Sequence, residues 1–266
     1  MPAPDWRKAV HRIHELSVPK ARRRLGLFTL EGYRSLERAF RNEAPLESIL
    51  VSETVAAGGN ERNARLIAET RARNLPLHAV PDSVMSTLTQ GRGLGDVFAV
   101  LRHPPEGSLK ELIRSEGRTL VVVGWNLGDP GNTGAVIRSA LAAGAAGFLA
   151  VGTTDPWHPK AVRTSMGSLF ALPVLERSED EAWLESLQAE EFETLAAVCR
   201  NAEALNHLAG IPDRVALVMG SEAFGLPDDL ADRMSRRVTI PMPPGVDSYS
   251  INAATAVLAY TLMQAQ

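Results

Sequence analysis

One arginine is placed where a bound molecule could use its charge, in the segment Asn132-Thr-Gly134-Ala-Val-Ile-Arg138. The segment follows an apolar strand pattern and an Asp-Pro-Gly turn, and a helix is predicted over 134–143. Residues four apart lie on one helix face, so Gly134 leaves the turn beneath Arg138 without a side chain. Open α/β sheets bind ligands where a helix begins after a strand's carboxyl end, and Arg138 is predicted to lie at such a position. An arginine on a helix is most often a solvated surface group, however, and Asn132 could be only an N-cap.

A carboxylate follows a second apolar strand pattern, in the segment Gly220-Ser-Glu222-Ala-Phe-Gly225. Gly220 would let a ligand approach the backbone at the end of this strand. Glu222 would place a negative charge at the same edge of the sheet. The alternative role of Glu222 is to complement the N-terminus of a neighbouring helix.

Hydroxyl and amide groups follow a third strand pattern, Val238-Thr-Ile240, which stops at a proline that precedes Met242. The chain then reaches Ser250-Ile251-Asn252, at the start of a predicted alanine-rich helix over 250–265. Ser250 suits a helix N-cap. Asparagine in the first turn of a helix costs helix propensity, which favours a side-chain role for Asn252.

Basic residues are concentrated in the first part of the chain, although the formal net charge is -3. A local basic patch attracts phosphates whatever the total charge of the protein. A later loop with Lys160 and Arg163 could add an anion site or be only a solvated loop. The expected phosphate contacts are Arg22, Arg23, Arg24, Lys160 and Arg163.

Composition restricts the class of protein. Hydrophobic residues make up 45% and charged residues 22% of the 266 residues, as in a folded globular protein. The single cysteine excludes an internal disulfide and favours a reducing, cytoplasmic location, and the 6 scattered histidines give a metal site little support. No apolar run reaches the ~20 residues of a membrane span, and no secretory signal is visible, so we expect no membrane partner.

Glycine-rich loops of the nucleotide-binding kind are not matched. Gly91-Arg-Gly-Leu-Gly95 lacks the following Lys-Ser/Thr of a Walker motif, and residues 124–134 do not fit the Gly-x-Gly-x-x-Gly fingerprint. A nucleotide-dependent oxidoreductase or kinase is therefore rejected.

Strand and helix patterns alternate along the whole chain, which predicts an α/β fold. A proline-rich stretch over 103–107 marks the expected domain boundary, with a small α/β domain over 1–104, a linker over 105–117 and a second domain over 118–266. Strands rich in Val, Leu and Ala predict a parallel sheet covered on both faces in the second domain. The expected elements are strands over 27–31, 48–51, 77–80, 97–101, 119–124, 147–151, 193–198, 215–219 and 237–240, and helices over 6–16, 33–42 and 61–73.

The three loops in this order resemble the three motifs of the SpoU-type RNA ribose 2'-O-methyltransferases, in the trefoil-knotted SPOUT superfamily. Motif one matches Asn132-x-Gly134-x-x-x-Arg138, motif two matches Gly220-Ser-Glu222, and motif three matches Ile240-Pro-Met242 with Ser250-Ile251-Asn252. The segment over 159–167 is similar to the one that this family carries between motifs one and two. The resemblance extends from residue 118 to the C-terminus. The first domain looks like the family's RNA substrate-binding domain, which is similar to small ribosomal RNA-binding proteins.

Two departures from the family pattern concern the site. Ala223 follows Glu222 at a position where motif two usually has glycine. The stretch between Ile240 and Asn252 is longer than usual, so Ser248 competes with Ser250 for the motif-three serine. The retained spacing to Asn252 favours Ser250.

The resemblance implies S-adenosylmethionine as the methyl donor, bound between knotted C-terminal loops. It assigns the adenosine contacts to Gly220, Ile240 and Ile251, with Met242 as an addition. It also places Arg138 at the 2'-hydroxyl. Because guanidinium stays protonated to pH ~12 or beyond, we expect Arg138 to stabilise the developing alkoxide while a carboxylate, a phosphate or water takes the proton. The resemblance further implies a homodimer, and the other catalytic residues that it implies are Asn132, Glu222, Ser250 and Asn252.

The resemblance narrows the substrate to structured RNA. The separate first domain favours ribosomal RNA of the large subunit over transfer RNA. The alternative is a catalytically inactive RNA-binding protein of the same fold. Intact polar residues in all three motifs favour the enzyme, whereas Ala223 counts against it.

Overall fold

The computed structural model describes residues 5–105, 107–179 and 182–264. The chain forms two compact units, of which the first comprises the residues up to Pro105 together with Trp157–Phe170 and the second comprises the rest. The expected linker is not a separate segment, because Leu109 and Leu112 are buried in the core of the second unit. Residues three apart in a 3₁₀ turn lie on one side of it, which explains why both leucines bury together.

Residues 5–105 form a mixed four-stranded sheet. Its strands are β1 (Leu27–Glu31), β2 (Leu46–Ser52), β3 (Leu77–Val80) and β4 (Val97–Arg102), and its helices are α1 (Trp6–Glu15), α2 (Pro19–Leu25), α3 (Tyr33–Arg41), α4 (Glu53–Ala56), α5 (Glu61–Ala72) and α6 (Asp82–Thr89). The order is β1-β4-β2-β3, with β4 antiparallel to both neighbours and β3 parallel to β2. The elements predicted here are confirmed with ends that agree to within two residues, whereas the short helices α2, α4 and α6 were missed.

The described residues after 106 form a seven-stranded, wholly parallel sheet of order β7-β6-β5-β10-β8-β11-β9. The predicted parallel α/β sheet is therefore confirmed, and only the short strands β7 and β9 were missed. The strands are β5 (Thr119–Trp125), β6 (Gly147–Val151), β7 (Val174–Arg177), β8 (Glu193–Ala197), β9 (Glu203–Ala204), β10 (Arg214–Met219) and β11 (Arg236–Thr239). The helices are α7 (Pro130–Ala143), α8 (Pro159–Thr164), α9 (Trp183–Ala189), α10 (Asp228–Asp232) and α11 (Ile251–Gln264).

Both faces of the parallel sheet are buried. Val121 and Val123 of β5 pack with Trp183 and Leu187 of α9 in one core cluster. The intervening Val122 points to the opposite face and is also fully buried, and α7 and α11 pack against each other and against β5. Each buried valine or leucine contributes ~1.5–3 kcal/mol, so the unbroken apolar run of β5 stabilises both layers.

The segment Trp157–Phe170 packs within the first unit, although the sequence analysis placed it in the second domain. The ring centroid of Trp157 lies 4.9 Å from that of Phe28 and 5.0 Å from that of His103. Helix α8, inside this segment, packs along β1. These aromatic contacts explain why the segment joins the first unit.

The Glu31 carboxylate, at the end of β1, is shared by two arginines. Arg92 donates from Nε to Oε1 at 2.9 Å and from Nη2 to Oε2 at 3.0 Å, and Arg163 donates from Nη1 to Oε2 at 3.3 Å. Glu31 is only 7% exposed, and a carboxylate so buried needs cationic partners. Arg163, an expected phosphate contact, is therefore already engaged by a carboxylate within the first unit.

Arg22 is a buried structural residue. It is 1% exposed, and its Nη1 donates to the carbonyl oxygens of Leu16 at 2.9 Å and Ser17 at 3.0 Å. These carbonyls lie at the end of α1, where a helix leaves its last carbonyl groups without partners in the helix. The prediction that Arg22 binds phosphate is wrong, because its guanidinium is directed into the protein.

The other expected phosphate contacts lie at the surface of the first unit. Arg23 and Lys160 are exposed. Arg24 is also exposed, and its Nη2 lies 2.6 Å from Oε1 of Glu15. An exposed ion pair contributes only ~0–1 kcal/mol, so Arg24 can exchange Glu15 for a phosphate at little cost.

The described residues lack two kinds of feature. None of their helices combines the length and the hydropathy that crossing a bilayer requires. Their His, Cys, Asp and Glu side chains do not form a group of three or more that could hold a metal ion. The single cysteine, Cys199, is exposed just after β8.

Replacing Arg22 by alanine is expected to lower the free energy of unfolding by ~2–3 kcal/mol, because two carbonyls lose a charged hydrogen-bond donor. Urea denaturation followed by circular dichroism measures the change. Arg23→Ala is the matched control, and we expect it to stay within ~0.5 kcal/mol of the wild type since Arg23 is exposed. Equal stability of the two variants would contradict the structural role of Arg22.

Candidate functional site

A cavity of about 670 Å³ lies at the carboxyl ends of β8, β10 and β11, beside the start of α11. Parallel strands end at the same edge of a sheet, so loops that are distant in sequence converge there. Ser248 lines the cavity, whereas Arg138 and Asn252 are not among its described lining residues. The other residues assigned to the site by the motifs do line it: Asn132, Gly220, Glu222, Ile240, Met242, Ser250 and Ile251.

Glu222 joins the loop after β10 to the loop that precedes α7. Its Oε1 accepts from Nδ2 of Asn132 at 2.9 Å and from the N–H of Asp129 at 3.3 Å, and its Oε2 accepts from the N–H of Gly128 at 3.0 Å. The N-cap of α7 is Asp129, whose side chain accepts from the N–H of Gly131. The N-cap interpretation of Asn132 is therefore wrong, because its amide is directed at Glu222.

Hydrogen bonding decides the ionisation of Glu222. Burial would raise the pKa of its carboxyl group. Hydrogen bonds from Asn132 and from the backbone N–H groups of Glu222, Gly128 and Asp129 outweigh burial, so the pKa lies below its ordinary value of 4.5. The carboxylate form is thus favoured at neutral pH, close to the N-terminal end of α7 where a negative charge is stabilised.

Gly220 closes the loop that carries Glu222. Ser221 and Gly225 exchange backbone hydrogen bonds of 3.1 and 2.8 Å across this loop. A Cβ atom on Gly220 would lie 2.3 Å from the carbonyl carbon of Gly225, so a side chain there would overlap backbone. Glycine is therefore required at position 220 for the loop to close, and the Gly220 backbone lines the cavity.

Ser250 and Asn252 are joined at the start of α11. Oγ of Ser250 lies 2.9 Å from Oδ1 of Asn252, so the hydroxyl donates to the amide oxygen. The carbonyl of Ser250 accepts from the N–H of Ala254 at 2.9 Å, which is the first backbone hydrogen bond of the helix. This contact with Asn252 favours Ser250 over Ser248 as the motif-three serine.

Arg138 faces away from the cavity residue on its own helix. It follows Asn132 by six residues, which places it ~9 Å farther along α7 and ~120° around the helix axis. Its side chain is exposed, and it forms no ion pair with any other residue in the described ranges. The guanidinium is therefore accessible to a molecule that approaches from solvent.

One wall of the cavity was not predicted from the sequence. Val198, Cys199 and Arg200 line it because β8 lies between β10 and β11 in the sheet. Nothing in the sequence pattern indicates that order, since parallel strands are joined by long crossovers. Phe224 was also missed, although it lines the cavity and is 93% exposed. Its one sequence signal was an aromatic residue inside a glycine-bounded loop.

Glu222→Gln is expected to destabilise the protein at neutral pH and to have less effect in acid. The pKa of Glu222 is below 4.5 in the folded protein, whereas 4.5 is its ordinary value in an unfolded chain. At a pH between these two values, the unfolded chain binds more protons than the folded protein. The stabilisation by Glu222 is therefore complete above pH 4.5. It is lost as the pH falls through the pKa that Glu222 has in the folded protein.

Urea denaturation of the wild type and Glu222→Gln, over a pH series from neutral into acid, measures this difference. Glu116→Gln, which removes an exposed carboxylate of the second unit, is the control for the loss of one surface charge. If the free energies of unfolding of the wild type and Glu222→Gln differ by the same amount at every pH, the assignment of Glu222 as a hydrogen-bonded carboxylate is refuted.

Similar proteins match this chain over nearly its whole length. The crystal structure of an AdoMet-bound rRNA methyltransferase from Sinorhizobium meliloti is 27% identical with a TM-score of 0.82, covering 96% of this chain and 94% of that one. A crystal structure of an RNA 2'-O ribose methyltransferase is 32% identical with a TM-score of 0.78, covering 96% and 95%. The 23S rRNA (guanosine(2553)-2'-O)-methyltransferase of Bacillus subtilis is 25% identical over 97% of this chain and 94% of its own length.

Two family profiles match successive parts of the chain. The MRM3-like substrate binding domain matches residues 7–97. The SpoU rRNA Methylase family matches residues 119–260, which contain all three loops that meet at the cavity. On this match, and on the convergence of Asn132, Glu222 and Ser250 at one cavity, the chain belongs to the SpoU rRNA Methylase family.

Proposed function

We propose that this chain transfers a methyl group from S-adenosylmethionine to the ribose 2'-hydroxyl of a nucleotide in large-subunit ribosomal RNA. The observation that carries the proposal is the single cavity lined by Asn132, Glu222 and Ser250. Family membership and similarity to a 23S rRNA 2'-O-methyltransferase support the same reaction, and favour ribosomal over transfer RNA. A catalytically inactive RNA-binding protein is disfavoured, because Asn132 and Glu222, and likewise Ser250 and Asn252, are held by specific hydrogen bonds.

S-adenosylmethionine suits the cavity in size and in chemistry. The volume of about 670 Å³ falls within the ~300–1,000 Å³ that is usual for ligand sites. Met242 and Leu258 provide apolar wall for the adenosine, and the backbone of Gly220, Ile240 and Ile251 would hold it. The bound cofactor supplies an electrophilic methyl group on a sulfonium.

Hydrogen bonds to neighbouring side chains orient the side-chain amides of Asn132 and Asn252 in opposite ways. The Nδ2 group of Asn132 donates to Glu222, which leaves the Oδ1 oxygen of Asn132 to accept a hydrogen bond. The Oδ1 oxygen of Asn252 accepts from Ser250, so the Nδ2 group of Asn252 acts as the donor. A ribose hydroxyl both donates and accepts, and Asn132 is therefore placed to orient its proton.

Arg138 stabilises the charge that develops on the attacking oxygen. Its guanidinium donates hydrogen bonds and cannot accept the hydroxyl proton, which passes to a carboxylate, a phosphate or water. Such a donor is worth ~2.7–4 kcal/mol in the transition state.

Helix α7 directs Arg138 away from the cavity of its own subunit. In a homodimer, Arg138 of one subunit reaches the cavity of the other. Asn132 and Arg138 point ~120° apart on α7, so one subunit alone does not aim both at one hydroxyl. In a two-fold symmetric dimer, the partner's Arg138 completes each site. We therefore propose two composite sites per dimer.

The proposed dimer contact includes the exposed face of α11. Val257 is 41% and Tyr260 is 59% exposed, and Ala253 and Ala256 share the same i, i+3, i+4, i+7 face. Exposed apolar side chains in such a stripe are typical of a protein–protein contact. By the family resemblance, we further propose that the C-terminal segment is threaded into a trefoil knot.

The first unit is proposed to bind the RNA. The match of residues 7–97 to a substrate binding domain supports assigning RNA binding to this unit. Exposed Arg23, Arg24 and Lys160 are the proposed phosphate contacts, with Arg163 limited by its bond to Glu31. We expect the protein in the cytoplasm, where its proposed substrate is.

Ribose methylation mapped across ribosomal and transfer RNA, from cells with and without the gene, tests the function. We expect one 2'-O-methyl group to disappear from large-subunit ribosomal RNA, and reintroducing the wild-type gene should restore it. Loss of a methyl group from transfer RNA alone would make transfer RNA the proposed substrate. If no methyl group is lost from either RNA, the proposal that the protein is a methyltransferase is contradicted.

Arg138→Ala should retain S-adenosylmethionine binding, measured by calorimetry, while the turnover number falls ~10²–10³-fold, as when one transition-state donor is removed. Ser139→Ala, the neighbouring substitution, should leave both quantities near the wild type. Lost cofactor affinity with normal residual turnover would contradict the role of Arg138.

Mixing two inactive variants tests the composite site. If the partner's Arg138 acts at each cavity, subunits carrying Arg138→Ala and Asn132→Ala form heterodimers with one intact site. Random exchange should restore about a quarter of the wild-type activity, because half of the dimers are mixed and half of their sites are whole. No recovery, with subunit exchange verified, would place Arg138 in its own subunit's site.

A further inference from the structure

Phe224 presents its ring to solvent from a loop that is held in place. It is 93% exposed. Ser221 and Gly225 close the loop by two backbone hydrogen bonds, and Oγ of Ser221 accepts from the N–H of Phe224 at 3.2 Å. Glu222 anchors the same loop to Asn132. A preorganised aromatic ring binds a ligand with less loss of entropy than a mobile one.

The ring borders a second cavity, of about 890 Å³, in the second unit. Trp125, half-buried at the end of β5, contributes a second aromatic side chain to its wall. Asn132, Glu222 and Phe224 line both cavities, so the second cavity adjoins the proposed cofactor site.

The charges around the second cavity indicate a neutral ligand. The carboxylates of Asp129 and Glu222 line it, and its described wall contains no lysine or arginine. A phosphate group would be repelled by two carboxylates at close range without a compensating cation. An uncharged planar group would meet mainly aromatic rings and amides there.

We propose that the second cavity binds one unstacked nucleobase of the RNA, packed on Phe224 and Trp125. Bases splayed out of single-stranded RNA stack on aromatic side chains irrespective of their identity, because every base has a π face. The inference rests on the proposed function, since a base in this cavity brings its own ribose to the shared residue Asn132. The second cavity thus positions the nucleotide, while the first holds the methyl donor.

Methyl transfer from radiolabelled S-adenosylmethionine to ribosomal RNA from cells lacking the gene tests this site. Phe224→Ala should raise the KM for RNA by about 5- to 150-fold, the range that corresponds to base–aromatic stacking. Its cofactor dissociation constant, measured by calorimetry, should change by a smaller factor than the KM for RNA, because Phe224 is only one of many residues that line the first cavity. Phe224→Trp should restore the KM, because it restores an aromatic face.

Val246→Ala is the matched control. Val246 is 49% exposed in the same unit and lines neither cavity, so this substitution should leave the KM for RNA unchanged. An unchanged KM in Phe224→Ala would overturn the proposal. Cofactor affinity that weakens in Phe224→Ala as much as the KM for RNA rises would also overturn it, because the ring would then act on the cofactor and not on a base.

Photocrosslinking separates failure of the site from failure of the proposed function. Ribosomal RNA labelled with 4-thiouridine is irradiated with the wild-type protein, and mass spectrometry locates the linked peptides. Crosslinks at Trp125 or Phe224 support the base site even if the wild type transfers no methyl group, a result that would refute only the reaction. Crosslinks confined to other peptides would overturn the base site even if methyl transfer is normal.

Discussion

The site depends on the hydrogen bonds that the Glu222 carboxylate accepts. It accepts hydrogen bonds from the backbone of Gly128 and Asp129 and from the side chain of Asn132. These donors belong to the loop before α7, whereas Glu222 follows β10, so one carboxylate fixes two loops against each other. The same contact selects the orientation of the Asn132 amide. One ionised group, the Glu222 carboxylate, therefore fixes both the position of the two loops and the orientation of the Asn132 amide at the cavity.

Arginines serve three different purposes in this chain, and their surroundings decide which. Arg22 is buried and completes the end of a helix. Arg163 shares the Glu31 carboxylate with Arg92 inside the first unit. Arg138 is exposed, and among the described residues no carboxylate neutralises it. The number of arginines in a segment is thus a poor measure of its capacity to bind RNA, because burial and carboxylate partners remove some of them from the surface.

The sequence predicted the strands and longer helices well because their apolar patterns are local. β1 and β3 begin and end at the predicted residues, and β5 and β10 differ by a single residue. The motif residues that gather at the cavity were found because each follows a recognisable strand. The wall after β8 was missed because strand order is a property of the whole sheet. The burial of Arg22 was missed for a related reason, since its carbonyl partners lie at the end of a neighbouring helix.

The place of β8 between β10 and β11 has a consequence for biosynthesis. β8 precedes both strands in the chain, yet it pairs with both, as in the contacts of Leu195 with Leu217 and of Ala197 with Val238. Pairings between distant segments form slowly, because a long loop must be closed first. A nascent chain that stops before residue 236 therefore lacks the edge that completes the cavity. The first unit, which is proposed to bind RNA, is thus translated before the cavity is complete, so translation order separates the two in time.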